Sequence, residues 1–240
     1  MPLELLAWML TVALTAGLGL SGCAPKPQAR PLTKREIEEE ARFYGGNANF
    51  IARRTVTIRA GDTSASRQTF IAFSDGNMRE ELLLAPDAPA CVMIQRPDLN
   101  TVFYYSPGQT NLLVEQVYRT PGLASSKPIV KSKKDVGSQT IDGHPCIECK
   151  GSVLQNGQLM DWNAWEATDL NRFPIHGVLT GTNQTMIIDF ADVRLEKPNP
   201  SLFQPPAGYQ RLGRQFLDTQ HALAFLMSNV MKSRADSKGQ

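Results

Sequence analysis

The feature of this sequence that most restricts its fold is a two-residue alternation of apolar and polar side chains from about residue 48 to Leu195. Successive side chains of a β-strand point to opposite faces, so such alternation is typical of strands that bury one face. Turn pairs such as Gly61-Asp62, Asp75-Gly76 and Asp142-Gly143 separate the runs, and these pairs favour tight hairpins. No segment resembles a strand–helix–strand unit of a parallel sheet. The alternation therefore predicts a meander of short antiparallel strands.

The alternating runs place the predicted strands as follows: Val56–Arg59, Thr69–Phe73, Met78–Leu82, Val92–Gln95, Thr101–Tyr105, Leu112–Tyr118, Val136–Ile141, Cys146–Leu154, Leu159–Ala167, Ile175–Thr180 and Met186–Val193. Pro97–Asn100 predicts a hairpin turn, because proline presets the backbone angle of a turn. Residues 119–135 interrupt the alternation and carry the basic residues Lys131, Lys133 and Lys134. We interpret them as a mobile loop, with contact to anionic lipid as the alternative.

Two helices are predicted at the ends of the sheet. Thr33 followed by Glu36 is a capping-box pattern, and it begins a short helix that ends at Gly45-Gly46. The second helix is predicted over Gly213–Ser233. It carries an apolar stripe at helical spacing, formed by Leu223, Leu226, Met227, Val230 and Met231.

The stripe on the second helix has three places to be buried: the sheet, the membrane surface or a protein partner. Its basic residues gather at the end, as Lys232 and Arg234, and do not line the stripe as in a membrane-surface helix. We therefore expect the helix to cover the sheet, either as part of the core or as a lid over a ligand cavity.

The N-terminus predicts a bacterial lipoprotein signal peptide. An uncharged run from Leu5 to Leu20 is followed by Ser21-Gly22-Cys23, and a short apolar region that ends in small residues is the secretory pattern. A transmembrane helix is the alternative, but it needs about 20 consecutive apolar residues. We expect cleavage before Cys23 and attachment of acyl chains, such as palmitate, to its thiol. The segment before the apolar run, Met1–Glu4, lacks the Lys and Arg that usually begin a signal peptide.

These boundaries predict four segments: signal peptide 1–22, proline-rich tether 23–32, a single domain 33–233 that includes both helices, and a tail 234–240. The chain has 25 Lys and Arg against 23 Asp and Glu. This balance is too even for a nucleic-acid partner.

Three thiols remain once Cys23 is acylated. In an oxidising periplasm they predict one disulfide and one leftover thiol, with Cys91 paired to Cys146 or Cys149. Cys146 and Cys149 have CxxC spacing, but they fall on a predicted strand, where residues three apart point to opposite faces. A redox motif instead needs a lowered thiol pKa. A zinc site with His144 and His176 lacks a second paired motif, so we assign no metal or cofactor.

No motif of a known catalytic class occurs, such as G-x-S-x-G, H-E-x-x-H or a P-loop. We therefore assign no catalytic residues and predict a non-enzyme. A hydrolase built from distant residues is the third-ranked hypothesis. Trp162 and Trp165 fall on opposite faces of one predicted strand, so we expect one in the core and one near a rim.

Short motifs along the strand-rich region occur in a recognisable order: Asn77–Glu80, Ile94–Asp98, Val102–Tyr104, Val136–Cys146, Trp162–Trp165, Asp169-Leu170, Phe173–Ile175, Asp192-Val193 and Leu202–Tyr209. Over roughly residues 48–210 this order resembles the superfamily of periplasmic lipoprotein carriers and outer-membrane lipoprotein receptors (LolA/LolB-like), and within it the uncharacterised domain families. The resemblance implies a mainly β fold: a curved antiparallel sheet that forms an incomplete β-barrel covered by helices, with an apolar interior for acyl chains. By the same resemblance, Ala24 after the lipidated cysteine implies the outer membrane.

Together these observations favour a lipid-anchored envelope protein that binds a lipid or the acyl chains of a lipoprotein. The alternative is a structural or assembly component of the envelope that presents loops to a protein partner. Retention of an apolar ligand through purification would separate the two.

Overall fold

A computed structural model describes residues 31–85, 88–108, 112–117, 129–155 and 158–212. They form one twelve-stranded sheet with the spatial order β12-β6-β5-β4-β3-β2-β1-β11-β10-β9-β8-β7. In chain order the strands are β1 Asn49–Ala60, β2 Thr63–Ser74, β3 Asn77–Ala85, β4 Ala88–Arg96, β5 Thr101–Tyr105, β6 Leu112–Val117, β7 Ile129–Ile141, β8 His144–Gln155, β9 Gln158–Ala167, β10 Phe173–Thr180, β11 Thr185–Arg194 and β12 Gln210–Leu212.

The sheet is antiparallel except for the pairing of β12 with β6, which is parallel. Each neighbouring pair in β1–β6 and in β7–β11 is a hairpin or a short connection, and β1 joins the two sets by pairing with β11. Strands β12 and β7 stand at the two ends of this order, so the sheet is open within the described ranges. The predicted fold, a curved antiparallel sheet forming an incomplete barrel, is confirmed.

Turn chemistry explains the hairpins. Asp75 and Gly76 have φ of 49° and 86°, and Asp142 and Gly143 have φ of 50° and 84°. Two consecutive positive φ angles are the signature of the turn that matches strand twist, and Asp-Gly pairs adopt it readily. The turn after Pro97 forms a 3-10 helix, Pro97–Leu99, which Asn100 ends in the left-handed region with φ 49°.

One local prediction is wrong. Strand β7 begins at Ile129, so Lys131, Lys133 and Lys134 lie on a strand and not in a loop. In the described structure β7 pairs only with β8. An edge strand tolerates lysines, and these lysines remove the apolar alternation from which strands are predicted. Residues 118–128 lie outside the described ranges.

The predicted N-terminal helix is confirmed as α1, Lys34–Ala41, and it continues into a 3-10 helix, Arg42–Tyr44. Thr33 and Glu36 form the reciprocal capping box, which pairs backbone N–H groups that the first helical turn leaves without partners. Gly45 ends the segment in the left-handed region, with φ 68°. The predicted C-terminal helix over Gly213–Ser233 lies outside the described residues.

The short segment after α1 shows that the sheet is strongly curved. Tyr44 contacts Met78 on β3, with 3.9 Å from Oη to Sδ, and its neighbour Phe43 stacks on Trp162 of β9 at 5.9 Å between ring centroids. In a flat sheet β3 and β9 would be about 24 Å apart, because neighbouring strands are about 4.8 Å apart. Two consecutive residues therefore reach both strands only because the sheet bends around them.

The bend gives the sheet an inner, concave face and an outer face. Most of the core lies on the inner face and includes Phe50, Phe73, Trp162, Phe173 and Phe190. A smaller cluster covers the outer face of β2, β4 and β5, where Leu202, Phe203 and Tyr209 pack on it from the chain that follows β11. In that connection Phe203 is the residue buried in the 3-10 helix Pro200–Phe203.

Candidate functional site

The inner face is apolar well beyond the residues that fill its centre. Cys91, Val102, Tyr104 and Val114 continue the apolar surface onto β4, β5 and β6. Met93 packs against both this group and the main inner core, so the two clusters share one face. In addition, Val56, Met186, Leu82 and Met93 are only partly buried. The described chain thus carries a wide concave surface on which some apolar side chains remain open to solvent.

One end of the inner face is closed by aromatic rings around Tyr44. Its ring centroid lies 4.7 Å from that of Phe50, 5.5 Å from that of Phe73 and 6.2 Å from those of Phe173 and Phe190. Tilted and edge-to-face pairs at these distances stabilise a core beyond their buried area. Because Tyr44 is fully enclosed, burial raises the pKa of its hydroxyl. This end of the concavity is therefore structural, and an apolar ligand has to lie on the remainder.

Two close contacts hold the Tyr44 segment against the turn that precedes β10. A Cβ on Gly45 would lie 2.2 Å from the carbonyl oxygen of Arg172, and φ of 68° also disfavours any side chain there. Asn47 and Asn171 exchange hydrogen bonds: Asn171 Nδ2 donates to Asn47 Oδ1 at 2.9 Å, and Asn47 Nδ2 donates to the Asn171 carbonyl at 3.3 Å. These contacts fix the end of the concavity that contains Tyr44 to the turn before β10.

Charged residues stand in two groups on the same inner face. The first, which we name the Arg54 cluster, contains Arg54, Arg67 and Glu80. Arg54 Nη2 donates to Glu80 Oε1 at 2.5 Å, and Arg67 Nη2 donates to the same oxygen at 3.3 Å. Side chains of Arg54 and Glu80 are 16% and 13% exposed, whereas that of Arg67 is 46% exposed. The cluster therefore runs from the buried interior towards solvent.

Burial next to the Arg54 cluster also affects Cys91. The residue is 4% exposed, and burial, followed by the negative charge of Glu80, raises the pKa of its thiol to about 12. A thiol with such a pKa is protonated at neutral pH and is a weak nucleophile. Cys91 is thus part of the apolar surface and not a reactive group.

The second group, the Arg172 cluster, contains Lys133, Asp135, Glu166 and Arg172. The buried Glu166 accepts from Lys133 Nζ at 2.5 Å and from Arg172 Nε at 2.8 Å. Arg172 Nη1 and Nη2 bind the two oxygens of Asp135 at 3.1 and 2.9 Å, a bidentate pair. This pairing holds the pKa of Asp135 at about 2. Two cations therefore meet two anions.

Arg172 is held in an uncommon backbone conformation. It has φ of 60°, directly after Asn171 with φ of 50°, and its N–H donates to the Ala167 carbonyl at 2.9 Å. Left-handed angles are unfavourable for a long side chain, so the surrounding contacts must fix them. The result is that the guanidinium of Arg172 reaches both Glu166 and Asp135.

The sequence did not single out either charged cluster, although it contains a signal for the first. Arg54 follows Ala52 and precedes Val56 at two-residue spacing, and Glu80 lies likewise between Met78 and Leu82. A charge at the apolar phase of an alternating strand predicts a charge on the buried face. For Arg172 no such signal exists, because it lies at a turn.

All three described cysteines are buried and their thiols are free in the structure. Cys91 is on β4 and the other two are on β8, with six strands between them in the sheet order. The predicted pairing of Cys91 with Cys146 or Cys149 is therefore not formed. Cys146 Sγ donates to the His144 carbonyl at 3.3 Å, and Cys149 Sγ donates to Asp135 Oδ1 at 3.2 Å.

Neither cysteine of the CxxC motif has the lowered pKa that redox chemistry needs. Burial raises the pKa of Cys146, and burial with the hydrogen bond to Asp135 raises that of Cys149 to about 12. In the described ranges no group of three His, Cys, Asp or Glu side chains is arranged to hold a metal ion. His144 pairs with Asp169 at 2.8 Å and His176 with Asp189 at 2.5 Å.

The two tryptophans separate as expected from their spacing. Trp162 is 5% exposed in the inner core, whereas Trp165 is partly buried and its ring lies 4.9 Å from that of His176. Cys23, the predicted lipidation site, lies outside the described residues. Over the described part of the chain, no helix has the length and apolarity needed to cross a membrane.

A groove of about 510 Å³ lies on the outer face, between β1–β3 and the connection after β11. It is lined by Ile51, Ala52, Arg53, Phe70, Glu81, Leu83, Asp192, Arg194 and Leu202. Arg53 Nε and Asp192 Oδ2 are 3.4 Å apart across this region. Charged side chains line the rim of this groove, whereas the charges described on the inner face belong to the Arg54 and Arg172 clusters.

Comparison with known proteins finds no matching family model and no matching curated sequence. Among solved structures, the chain is similar to a LolA superfamily protein from Nitrosomonas europaea, with 9% identity and a TM-score of 0.39 over 72% of this chain and 98% of that one. It is similar to the lipoprotein LppX from Mycobacterium tuberculosis, with 11% identity and a TM-score of 0.36 over 70% and 99%.

A third similar structure is the MucA/MucB complex from Pseudomonas aeruginosa, with 13% identity and a TM-score of 0.42 over 77% of this chain and 67% of that one. The first of the three belongs to the superfamily that the sequence motifs resemble.

Proposed function

We propose that this protein is a non-enzymatic, lipid-anchored component of the bacterial envelope that binds a lipid, or the acyl chains of a lipoprotein, on the inner face of its sheet. The observation that carries the proposal is the wide, partly open apolar surface on the concave face of the sheet. It continues from the aromatic end at Tyr44 to Val114 on β6. Acyl chains have no hydrogen-bonding groups, so a wide apolar concavity is the surface that suits them.

The partly exposed apolar residues locate where a chain would lie. Val56 on β1 and Met186 on β11 occupy the inner face beyond the reach of the Tyr44 rings, and Met93 extends the surface onto β4. Methionine side chains adapt to ligands of variable shape. Burying about 100 Å² of apolar surface under an acyl chain would contribute about 2.5 kcal/mol.

The anchor and its location are parts of the same proposal. We expect Cys23 to carry the lipid, the residues up to Leu32 to act as a tether, and the protein to face the periplasm from the outer membrane. A Cys23→Ala variant is expected to remain unprocessed or to fractionate away from membranes. Normal processing of that variant, together with membrane fractionation, would contradict the anchor.

A binding experiment tests the concave surface directly. The protein, expressed from residue 24, is titrated with the neutral apolar fluorophore N-phenyl-1-naphthylamine. We expect saturable binding that Met186→Asn weakens, because an amide would face the ligand. Ile187→Asn is the matched control, since Ile187 is the next residue of β11 and is partly buried on the opposite side of the strand. If the two substitutions weaken binding equally, the inner face is not the binding surface.

Docking of an envelope protein is the second candidate function, and strand β7 supports it. β7 is 13 residues long, its side chains from Lys131 to Thr140 are exposed, and Val136 is 46% exposed. An edge strand of this length can accept another strand from a partner. Val136→Asp is expected to reduce such pairing and to leave fluorophore binding unchanged. A loss of fluorophore binding instead would assign β7 to the lipid surface.

A further inference from the structure

The Arg54 cluster holds more positive charge than its own carboxylate balances. Arg54 and Arg67 both donate to one oxygen of Glu80, at 2.5 and 3.3 Å. Two guanidinium groups and one carboxylate leave a net charge of about +1, since arginine stays protonated in proteins. In the Arg172 cluster, by contrast, two cations meet two anions.

The donors of the Arg54 cluster are also incompletely used. Among the described residues, the buried Arg54 Nε has no hydrogen-bond partner, and Arg67 contacts Glu80 through Nη2 alone. A buried donor without a partner is destabilising by about 1–3 kcal/mol unless a further group satisfies it. An acceptor from outside the described chain would remove this penalty.

The cluster lies within the apolar surface of the inner face, which continues on both sides of it. Arg54 lies between Ala52 and Val56 on β1 in the inner phase of the alternation, and the charges of Glu80 and Arg67 both act on the pKa of the buried Cys91. The Arg67 side chain, 46% exposed, points the cluster towards solvent. A ligand with its chain on Val56 and Met186 would therefore have its polar end within reach of the two arginines.

From this juxtaposition we infer that Arg54 and Arg67 bind the acidic headgroup, a carboxylate or a phosphate, of an amphiphile whose chain lies on the inner face. The inference rests on the proposed function and adds the chemical class of its ligand. Arginine presents several N–H donors in a plane that matches the oxygens of either group. A neutral lipid would leave the surplus charge and Arg54 Nε without partners.

The experiment uses ligands with one chain and different headgroups. Dodecanoate, dodecyl phosphate and dodecanol compete with N-phenyl-1-naphthylamine for the protein expressed from residue 24, below the concentration at which each aggregates. We expect both acids to compete about tenfold better than the alcohol, because a charge-assisted hydrogen bond of this kind corresponds to roughly that factor. The better of the two acids identifies the headgroup.

Three variants locate the preference. Arg67→Gln should remove most of the preference for the acids over the alcohol. Arg67→Lys keeps the charge, so it should retain a good part of that preference. Arg59→Gln is the control, because Arg59 lies further along β1 at an exposed position in the outer phase of the alternation. Melting temperatures of the Arg67 variants should stay near that of the parent, since the residue is half exposed.

The outcomes separate this inference from the function on which it rests. Equal competition by dodecanoate and dodecanol, with the fluorophore still bound, overturns the headgroup site and leaves the apolar surface intact. Equal losses in Arg67→Gln and Arg59→Gln also overturn the site, because the preference would then come from general surface charge. If the fluorophore itself does not bind, the proposed function fails and the headgroup site fails with it.

Discussion

The Arg54 cluster and the Arg172 cluster lie on the same concave face, yet their charges are arranged differently. In the Arg172 cluster a buried glutamate with 3% exposure receives two cations, and Asp135 receives a bidentate pair. In the Arg54 cluster one carboxylate oxygen accepts from two guanidinium groups, and the buried Nε–H of Arg54 has no partner within the part of the chain that the structure describes. Complete pairing is what a structural network requires, because each unpaired buried charge is costly.

The difference indicates different roles for the two halves of the sheet. The Arg172 cluster connects β7, β9 and the start of β10, so it holds the edge of the sheet against the turn that follows β9. The Arg54 cluster connects β1, β2 and β3 within the apolar surface of the inner face. The first is expected to respond to substitution mainly in stability, the second mainly in ligand preference.

The largest expected effect is that of Glu166→Ala. The substitution leaves Lys133 and Arg172 facing each other without their shared carboxylate, and losing one partner of a buried ion pair is destabilising by about 3–5 kcal/mol. The free energy of unfolding is measured with urea. Glu148→Ala is the control, because its pair with Lys150 at 3.3 Å is more exposed and should contribute at most about 1 kcal/mol. Similar losses in both variants would show that the Arg172 cluster is not a structural network.

Gly45→Ala is expected to follow, at about 3 kcal/mol, the upper end for a residue forced into an unfavourable backbone region. Its Cβ would lie 2.2 Å from the carbonyl oxygen of Arg172, so it would displace the backbone that carries the Arg172 cluster. Gly46→Ala separates the two causes. Gly46 has φ of 82°, and no atom of the described ranges lies within 4 Å of an added Cβ, so it has the same strain without the clash. Equal unfolding energies for the two variants would contradict the role of the close approach.

These tests address the part of the molecule that the sequence predicted least. The strands and turns follow from local rules, because alternation and Asp-Gly pairs act within a few residues. Gly45 and Arg172 meet only through the curvature of the sheet, and no local pattern reports a contact between residues so far apart. The lysines of β7 show the opposite failure. Their charges removed the alternation, although the strand there depends on pairing with β8 and not on its own burial.

Glu80→Gln is expected to have a smaller effect on stability and an opposite effect on binding. Glutamine keeps one acceptor oxygen for Arg54, so the loss should be about 1–2 kcal/mol. Removing the negative charge raises the net charge of the Arg54 cluster, and dodecanoate should then bind more tightly than to the parent protein. Isothermal titration with dodecanoate and urea unfolding measure the two effects. Weaker dodecanoate binding at unchanged stability would contradict the assignment of ligand preference to the Arg54 cluster.

The smallest expected effect is a change in how stability depends on pH, and it belongs to the Arg172 cluster. The pKa of Asp135 is lowered from 3.8 to about 2, and hydrogen bonds from Arg172 are the largest cause. A carboxyl whose pKa is lower in the folded state contributes stability that is complete above its unfolded pKa and disappears as the pH falls through its folded pKa. The contribution of Asp135 should therefore be present above about pH 4 and should decline between pH 4 and 2.

Urea unfolding of the parent and of Asp135→Asn, at intervals from pH 5 to pH 2, measures this contribution as the difference between the two curves of unfolding free energy against pH. That difference should shrink steadily across this window, whereas the parent and Asp161→Asn, at an exposed position of β9, should differ little at any pH. A difference that stays constant from pH 5 to pH 2 would mean that Asp135 acts through its shape and neutral hydrogen bonds, and not through its charge.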